Sequence, residues 1–428
     1  MVNSYFLQVY LKKYVDLLFS SSILEENGLG VTHMVVRQLY LDRLKKYQDT
    51  EFVKVITGVR RSGKTFVLRM FRDYLQESGI ASNQIIFINF ESMKYQHLLT
   101  KEALYQYVTE HVVAHRKMYL FFDEVQRVVG WEDAINSFRV DFDADIYVSG
   151  SNASLLSGEL ATLLTGRMIE IPIYPLSFKE FLQFTQNTKP LELAFNDYVT
   201  EGGFPAVALV DDAEVKRSVL DGIYSSILLR DVNERAAIRN DGMLTQVATY
   251  LLSEIGNPIS GNKISGVLQN EGWKVNPTST LRYMGLLCDA FIFYPAKRYD
   301  LRGKNYLRST AKYYAVDTGL RNVTLNRNYR DNFGHQIENI VYLELLRRGY
   351  RVDVGKYDNQ EIDFVAKRGS EVAYYQVTMQ LPTKDNREIG NLQALDDNYP
   401  KTLITANRMD VGEVAGIPIV HIVDWLLN

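Results

Sequence analysis

From Phe52 onward, short apolar runs alternate with longer stretches in which apolar residues recur every three to four positions, the pattern of strands joined by amphipathic helices. The runs are FVKVITG at Phe52, IIFINFE at Ile85, YLFFDEV at Tyr119, DIYVSGS at Asp145 and MIEIPIYPLS at Met168. Helix-like stretches near Phe66, Leu104, Ala134 and Leu155 separate them. This alternation predicts an α/β domain in which five strands form one parallel sheet covered by helices.

After Pro175 the short runs stop and the pattern becomes helical from Phe178 to about Leu252, broken by the turn EGGFP at Glu201. Between Ile255 and Asp317, three short helical segments precede two aromatic, β-rich segments, AFIFYPAKRY and KYYAVD. That order predicts a winged helix-turn-helix. A helix from His335 to Arg348, strands EIDFVAKR and VAYYQVTM, a helix near Ile389 to Asp396 and the strand TLITA then predict a small α/β unit. The expected domains are 34–177, 178–330 and 331–428, behind a stretch, 1–33, of unclear status.

Composition narrows the class. With 46% hydrophobic and 23% charged residues, the 428-residue chain has the balance of a globular protein, not a disordered or fibrous one. A net charge of -3 excludes a uniformly basic nucleic-acid coat and leaves room for a local basic face. The single cysteine, Cys288, excludes an intramolecular disulfide and a cysteine-rich zinc site, and it fits a reducing, cytoplasmic location. Val2 to Leu24 is rich in Leu, Tyr and Phe, but Lys12, Lys13 and Asp16 make it a poor membrane span, so no membrane partner is expected.

The candidate chemistry begins at GVRRSGKT, that is Gly58, Val59, Arg60, Arg61, Ser62, Gly63, Lys64 and Thr65. This run fits G-x-x-x-x-G-K-[ST] between a strand and a helix, the spacing of an ATP-binding P-loop. Its glycines let backbone N–H groups converge on phosphate oxygens, and the helix behind them adds its positive end. Lys64 is expected on the β and γ phosphates, and the Thr65 hydroxyl on Mg²⁺. The strand ending in Asp123 and Glu124 supplies a carboxylate for the metal and one to deprotonate water, which points to hydrolysis beyond binding. In SGSNAS, Ser151 and Asn152 are candidates for sensing the γ-phosphate, with plain turn chemistry as the alternative. In LLTGR, Arg167 is a candidate cation for transition-state charge, in cis or from a neighbouring subunit of a homo-oligomer, or else a surface arginine. Arg60 and Arg61 would face phosphate or water.

With these residues assembled, the chain resembles the archaeal and bacterial AAA-type ATPases that carry a C-terminal domain of unknown function. The resemblance runs from Met34 to the end through ITGVRRSGKT, FFDEVQRVVGWEDAI, IYVSGSNASLLSGELATLLTGR, IYPLSFKEF, EGGFP, KYYAVDTGLRN, ENIVYLELLRRGY, EIDFVA and YYQVT. It implies the ATP loop at Gly58 to Thr65, the two working carboxylates at Asp123 and Glu124, and the sensor segment at SGSN. Residues 1–33 have no counterpart in it and read as an upstream extension.

In the winged-helix segment, Arg282 and the cations Lys297, Arg298, Arg302, Lys304, Arg308 and Lys312, interleaved with tyrosines, point to DNA, with a protein-interaction module as the alternative. The C-terminal unit resembles the restriction-endonuclease-like fold, which implies a second metal set at Glu338, Asp363 and Gln376. It departs from that pattern where an acidic residue, a spacer and a lysine would stand, because Gln376, Val377 and Thr378 occupy those places. Without the ammonium, cleavage is not expected. The expected function is thus an ATPase coupling nucleotide state to a DNA-binding winged helix and a nuclease-like domain. The alternatives are a slow ATP-gated switch that holds a protein partner, and a metal-dependent DNA nuclease.

Overall fold

The computed structural model describes residues 35–156, 164, 166–233, 241–306, 310–327, 330–382 and 387–428. The stretch 1–33 and Arg308 lie outside them. The described residues form two compact units, one of residues 35–56, 63–150 and 164–171, the other of 57–62, 151–156 and those from 172 onward.

In the first unit all five expected strands form. They are β1 (Val53–Thr57), β2 (Ile85–Asn89), β3 (Met118–Asp123), β4 (Ala144–Ser149) and β5 (Met168–Pro172), arranged β2-β3-β4-β1-β5. The pairs β1 with β4, β2 with β3 and β3 with β4 are parallel. Every residue of β1 and β3 is buried, as strands covered on both faces require. Successive side chains of a strand point to opposite faces, and Phe121 and Phe122 show what each face receives. Helix α1 (Lys64–Glu77) sets Phe71 against Phe121 and Tyr147, with ring centroids 6.4 and 5.2 Å apart. Helix α2 (Trp131–Asp141) stacks Phe138 on Phe122 at 5.6 Å. The sheet is therefore covered on both faces. In an open sheet of this kind, ligand chemistry gathers at the carboxyl ends of the strands.

At the opposite strand ends lies a buried polar network. Lys54 pairs with Asp145, which also accepts the Tyr147 hydroxyl at 2.6 Å and the backbone N–H of Asp49 at 2.8 Å. The Asp49 carboxylate in turn accepts the Tyr119 hydroxyl at 2.9 Å.

The second unit begins with helices α3 (Phe178–Phe184), α4 (Leu191–Glu201), α5 (Ala213–Ser226) and α6 (Asp241–Ser253). The turn EGGFP follows α4 for a steric reason. Gly202 has φ 78°, and a Cβ there would lie 2.1 Å from the Asp317 carboxylate. That carboxylate accepts the Gly203 N–H at 2.6 Å and caps α9 (Thr318–Thr324) through the Leu320 N–H at 2.8 Å. Two motifs far apart in sequence thus lock onto one another.

Helices α7 (Gly261–Asn270) and α8 (Pro277–Asp289) follow the two-residue strand β6 (Pro258–Ile259) and lead to β7 (Phe293–Ala296). Strands β6, β7 and β10 (Ala311–Ala315) form a small antiparallel sheet. Between β7 and β10, strands β8 (Arg298–Asp300) and β9 (Asn305–Tyr306) leave it. They extend the C-terminal sheet instead, β8 running parallel to β11 (Arg351–Tyr357). With β12 (Gln360–Arg368), β13 (Glu371–Thr378), β14 (Lys401–Thr405), β15 (Gly412–Val414) and β16 (Ile417–His421), the order is β15-β16-β14-β13-β12-β11-β8-β9. Helix α10 (Phe333–Arg347) is buried along most of its length, with Ile337, Val341 and Leu345 in one core with Phe364 and Tyr314.

Candidate functional site

Three strands of the first unit end in a polar residue at one level. Asn89 is in register with Asp123, and Ser149 follows Val148, the register partner of Phe122. Their side chains meet. Asn89 donates to Asp123 Oδ2 at 2.7 Å, the Thr65 hydroxyl donates to the same oxygen at 2.8 Å, and the Ser149 hydroxyl donates to Oδ1. Asp123 is fully buried. Burial first, and the neighbouring Glu124 carboxylate second, push it up to about 6, against the pull of the Ser149 and Thr65 hydroxyls. Lys64, 5% exposed, opens α1 directly after Gly63, whose φ of 98° suits glycine alone.

Glu124 stands just past the strand in a left-handed conformation, φ 55° and ψ 46°, which non-glycine residues rarely hold. Its N–H donates to the Ser149 hydroxyl at 3.2 Å, and one carboxylate oxygen accepts from Gln126. The turn carries the carboxylate away from the strand axis, so Asp123 and Glu124 present two carboxyl groups from consecutive residues to different neighbours. Asn89 and Ser149 were not singled out from sequence. The signal available was a polar residue closing each apolar run at the position where Asp123 closes its own.

Residues 57–62 belong to the second unit, together with Ser151 and Asn152. Gly58 is required there: its φ is 137°, and a Cβ would lie 2.1 Å from the Ile173 carbonyl oxygen. The two candidate sensor residues both turn to Asp231, which sits in a π-helical turn, Ile227–Asn233, that follows α5. Ser151 donates its hydroxyl to Asp231 Oδ1 at 3.0 Å, and Asn152 donates to the Asp231 carbonyl at 3.4 Å. Arg60 of the glycine-rich run lies 3.8 Å from the same carboxylate. Asp231 carried no motif in the sequence, and only the fold brings it here.

Arg167 is exposed, and its carbonyl accepts the N–H of Val53, the first residue of β1, so its backbone stands at the amino end of that strand, a strand length of roughly 13 Å from Thr57 at ~3.3 Å per residue.

Around α10 the second unit assembles another charged cluster. Glu338 and Asp363 both face Lys312 of β10. Its ammonium lies 3.1 Å from Glu338, 2.9 Å from Glu361 and 4.0 Å from Asp363. Burial pulls Lys312 down, but Glu338, Asp363 and Glu361 outweigh it and hold the amine charged. Gln376 does not offer its oxygen to this centre: Oε1 accepts the Asp363 backbone N–H at 3.2 Å, and its amide donates to Glu388. Among the described residues no three His, Cys, Asp or Glu side chains are grouped so as to hold a metal ion.

A glycine-rich run between β1 and its helix, and a buried Asp-Glu pair closing a parallel strand one place removed, define an AAA-type P-loop ATPase. A family model described as an AAA domain matches residues 50–182, and one described as a domain of unknown function matches residues 192–331. A Haemophilus influenzae protein described as uncharacterized is 44% identical over 399 residues, which are 92% of this chain and 99% of that one. A Methanocaldococcus jannaschii protein, likewise described, is 32% identical over 75% of this chain and 71% of its own length. The chain belongs to the family of these two proteins. Among solved structures, a Walker-type ATPase of Pyrococcus abyssi is similar with a TM-score of 0.48 at 15% identity, over 68% of this chain and 95% of that one. Among the described residues no helix is long and apolar enough to cross a membrane.

Proposed function

We propose that this protein hydrolyses ATP and relays its nucleotide state into the second unit, which acts on DNA. Gly58 to Thr65 hold the phosphates, with Lys64 on the β and γ groups. The donor set at Thr65 and Asp123, a hydroxyl and a carboxylate 2.8 Å apart, fits a hard cation that takes its other ligands from phosphate and water. Thr65 and Asp123 would hold Mg²⁺, which would supply positive charge against the phosphates. Glu124 orients and deprotonates the attacking water. A neighbouring copy's arginine at position 167 would reach this centre only in a homo-oligomer.

The observation that carries the relay is Asp231. Arg60, Ser151 and Asn152, the groups read as phosphate-facing, lie on one residue at the end of α5. A γ-phosphate that recruits Arg60 or Ser151 draws them from Asp231, so phosphate and the π-helical turn compete for the same donors. Asp231→Ala removes the competitor. ATP affinity is then expected to rise about tenfold, the effect of ~1.5 kcal/mol for a hydrogen bond to a charged group. Unchanged or weaker ATP binding in an equilibrium titration would remove Asp231 from the relay.

For the DNA reading, α7 and α8 with the β6-β10-β7 sheet supply a helix pair and a wing-like sheet. Pro277 opens α8 and Asn276 caps it through the Ser279 N–H. Arg282, Lys297 and Lys304 are exposed, whereas Lys312 is buried and Arg298 lies 3.4 Å from Glu361. ATP turnover at low salt is expected to rise with double-stranded DNA and to lose that rise steeply as salt increases. Lys64→Ala should abolish turnover in both conditions. If DNA of any form leaves turnover unchanged while Lys64→Ala still abolishes it, the ATPase stands and the DNA reading falls. The engagement of Lys312 and Arg298 inside the fold favours, in that case, a switch that holds a protein partner.

A further inference from the structure

Glu338 of α10 and Glu361 and Asp363 of β12 each bring a carboxylate oxygen within 4.0 Å of one point. What occupies that point is part of the chain. We propose that the Lys312 ammonium is the permanent cation of this centre, so that the C-terminal α/β region takes no divalent metal there and cleaves no phosphodiester.

Three independent features carry this. The first is geometry. Lys312 reaches Glu338 and Glu361, on different elements, at 3.1 and 2.9 Å, and so stands between the carboxylates where a bridging ion would stand. A lysine that only assisted an attacking water would flank the carboxylates and leave that point open. The second is satisfaction. Glu338 Oε1 also accepts the Tyr314 hydroxyl at 2.7 Å, and Asp363 Oδ2 accepts the Val377 N–H at 2.9 Å. The Gln376 oxygen, the fourth candidate ligand, is engaged by the Asp363 N–H. The third is access. The side chains of Lys312, Glu338 and Asp363 are 6%, 11% and 12% exposed, so the cluster meets solvent chiefly through Glu361, at 33%.

Lys312 comes from β10 of the small antiparallel sheet, while its partners belong to α10 and β12. The ion cluster therefore joins the segment read as a winged helix to the segment read as nuclease-like.

The test is Mn²⁺ binding to the full chain, followed by electron paramagnetic resonance in the absence of nucleotide. Wild type, Lys312→Met, Asp363→Asn and the double variant are compared, with nicking of supercoiled DNA run in parallel. Wild type and Asp363→Asn are expected to bind Mn²⁺ identically, with no nicking by either. Lys312→Met is expected to gain one Mn²⁺ site at least tenfold tighter than any Asp363-dependent site in wild type, and the double variant to lose it. Mn²⁺ should also raise the unfolding midpoint of Lys312→Met and leave that of wild type in place. A wild-type Mn²⁺ site that disappears in Asp363→Asn would overturn the proposal, and so would Mn²⁺-dependent nicking that disappears in that variant. So would a folded Lys312→Met that gains no site. If Lys312→Met does not fold, the wild-type and Asp363→Asn pair still decides it. None of these readouts depends on ATP turnover, so their failure is distinguishable from failure of the ATPase reading.

Discussion

Glu124→Gln is expected to lower ATP turnover by about 100- to 10,000-fold, the range for loss of a general base, while ATP still binds within about twofold of wild type. The backbone is the reason for expecting so clean a separation. Glu124 sits in the left-handed region at φ 55°, a placement that costs of order 1–2 kcal/mol for a side chain with a Cβ and that glutamine inherits without change. The N–H bond to Ser149 is also kept, because it is made by the main chain. What is lost is the negative charge and basicity of the carboxylate, and with the charge its repulsion of Asp123. Asp123→Asn should behave differently. Asp123 is fully buried and receives three side-chain donors, so its loss disturbs Thr65, Asn89 and Ser149 together and weakens Mg²⁺-dependent binding as well as turnover. Turnover and binding measured on both variants check this. Turnover of Glu124→Gln within about threefold of wild type would remove Glu124 from the role of base.

The second large effect concerns the other end of the sheet. Asp145→Ala is expected to destabilise the first unit by ~3–5 kcal/mol, the cost of leaving a buried charge without its partner. Lys54 is 0% exposed and Asp145 1%. Burial already holds the Lys54 amine below its ordinary range, with Asp145 the main group opposing that shift. Without Asp145 the ammonium keeps the Thr50 carbonyl at 3.2 Å, the Tyr147 ring centroid at 5.2 Å and the attraction of Asp49. The Tyr147 hydroxyl and the Asp49 N–H lose an acceptor in the same step. Replacing both partners with apolar residues, Lys54→Met with Asp145→Leu, should recover most of the loss, since no unpaired charge then remains. Chemical denaturation of the three proteins measures it. A single variant within about 1 kcal/mol of wild type would show that water reaches Lys54.

Much of the first unit could be read along the chain because its signals are local. The five strands stand out as apolar-rich runs, with β1 and β3 buried at every position as strands covered on both faces require, and the P-loop needs its glycines and lysine at set spacing. Asp123 and Glu124 stood out for the same reason, as charges closing an apolar run. Sheet order and register are not local. They alone place Asn89 and Ser149 beside Asp123, and they put the Arg167 backbone at the amino end of β1.

In the second unit the limits are sharper. The two aromatic, β-rich segments after α8 predict strands, and β7 and β10 pair in the small sheet while β8 and β9 join the large one, because a strand's periodicity says which residues alternate and not which edge it pairs with. Lys312 read as a phosphate-binding cation on a surface, and burial turned it into the counter-ion of Glu338 and Glu361.

Sequence alone therefore determined the ATPase class, because the P-loop and its carboxylate strand are contiguous motifs whose chemistry depends on spacing within a few residues. Tertiary structure alone decided which groups share a charge. Asp231 with Arg60 and Ser151, and Lys312 with Glu338 and Asp363, are pairs separated by tens of residues or more, and electrostatic partnership depends on distance and burial in space, which no linear pattern carries.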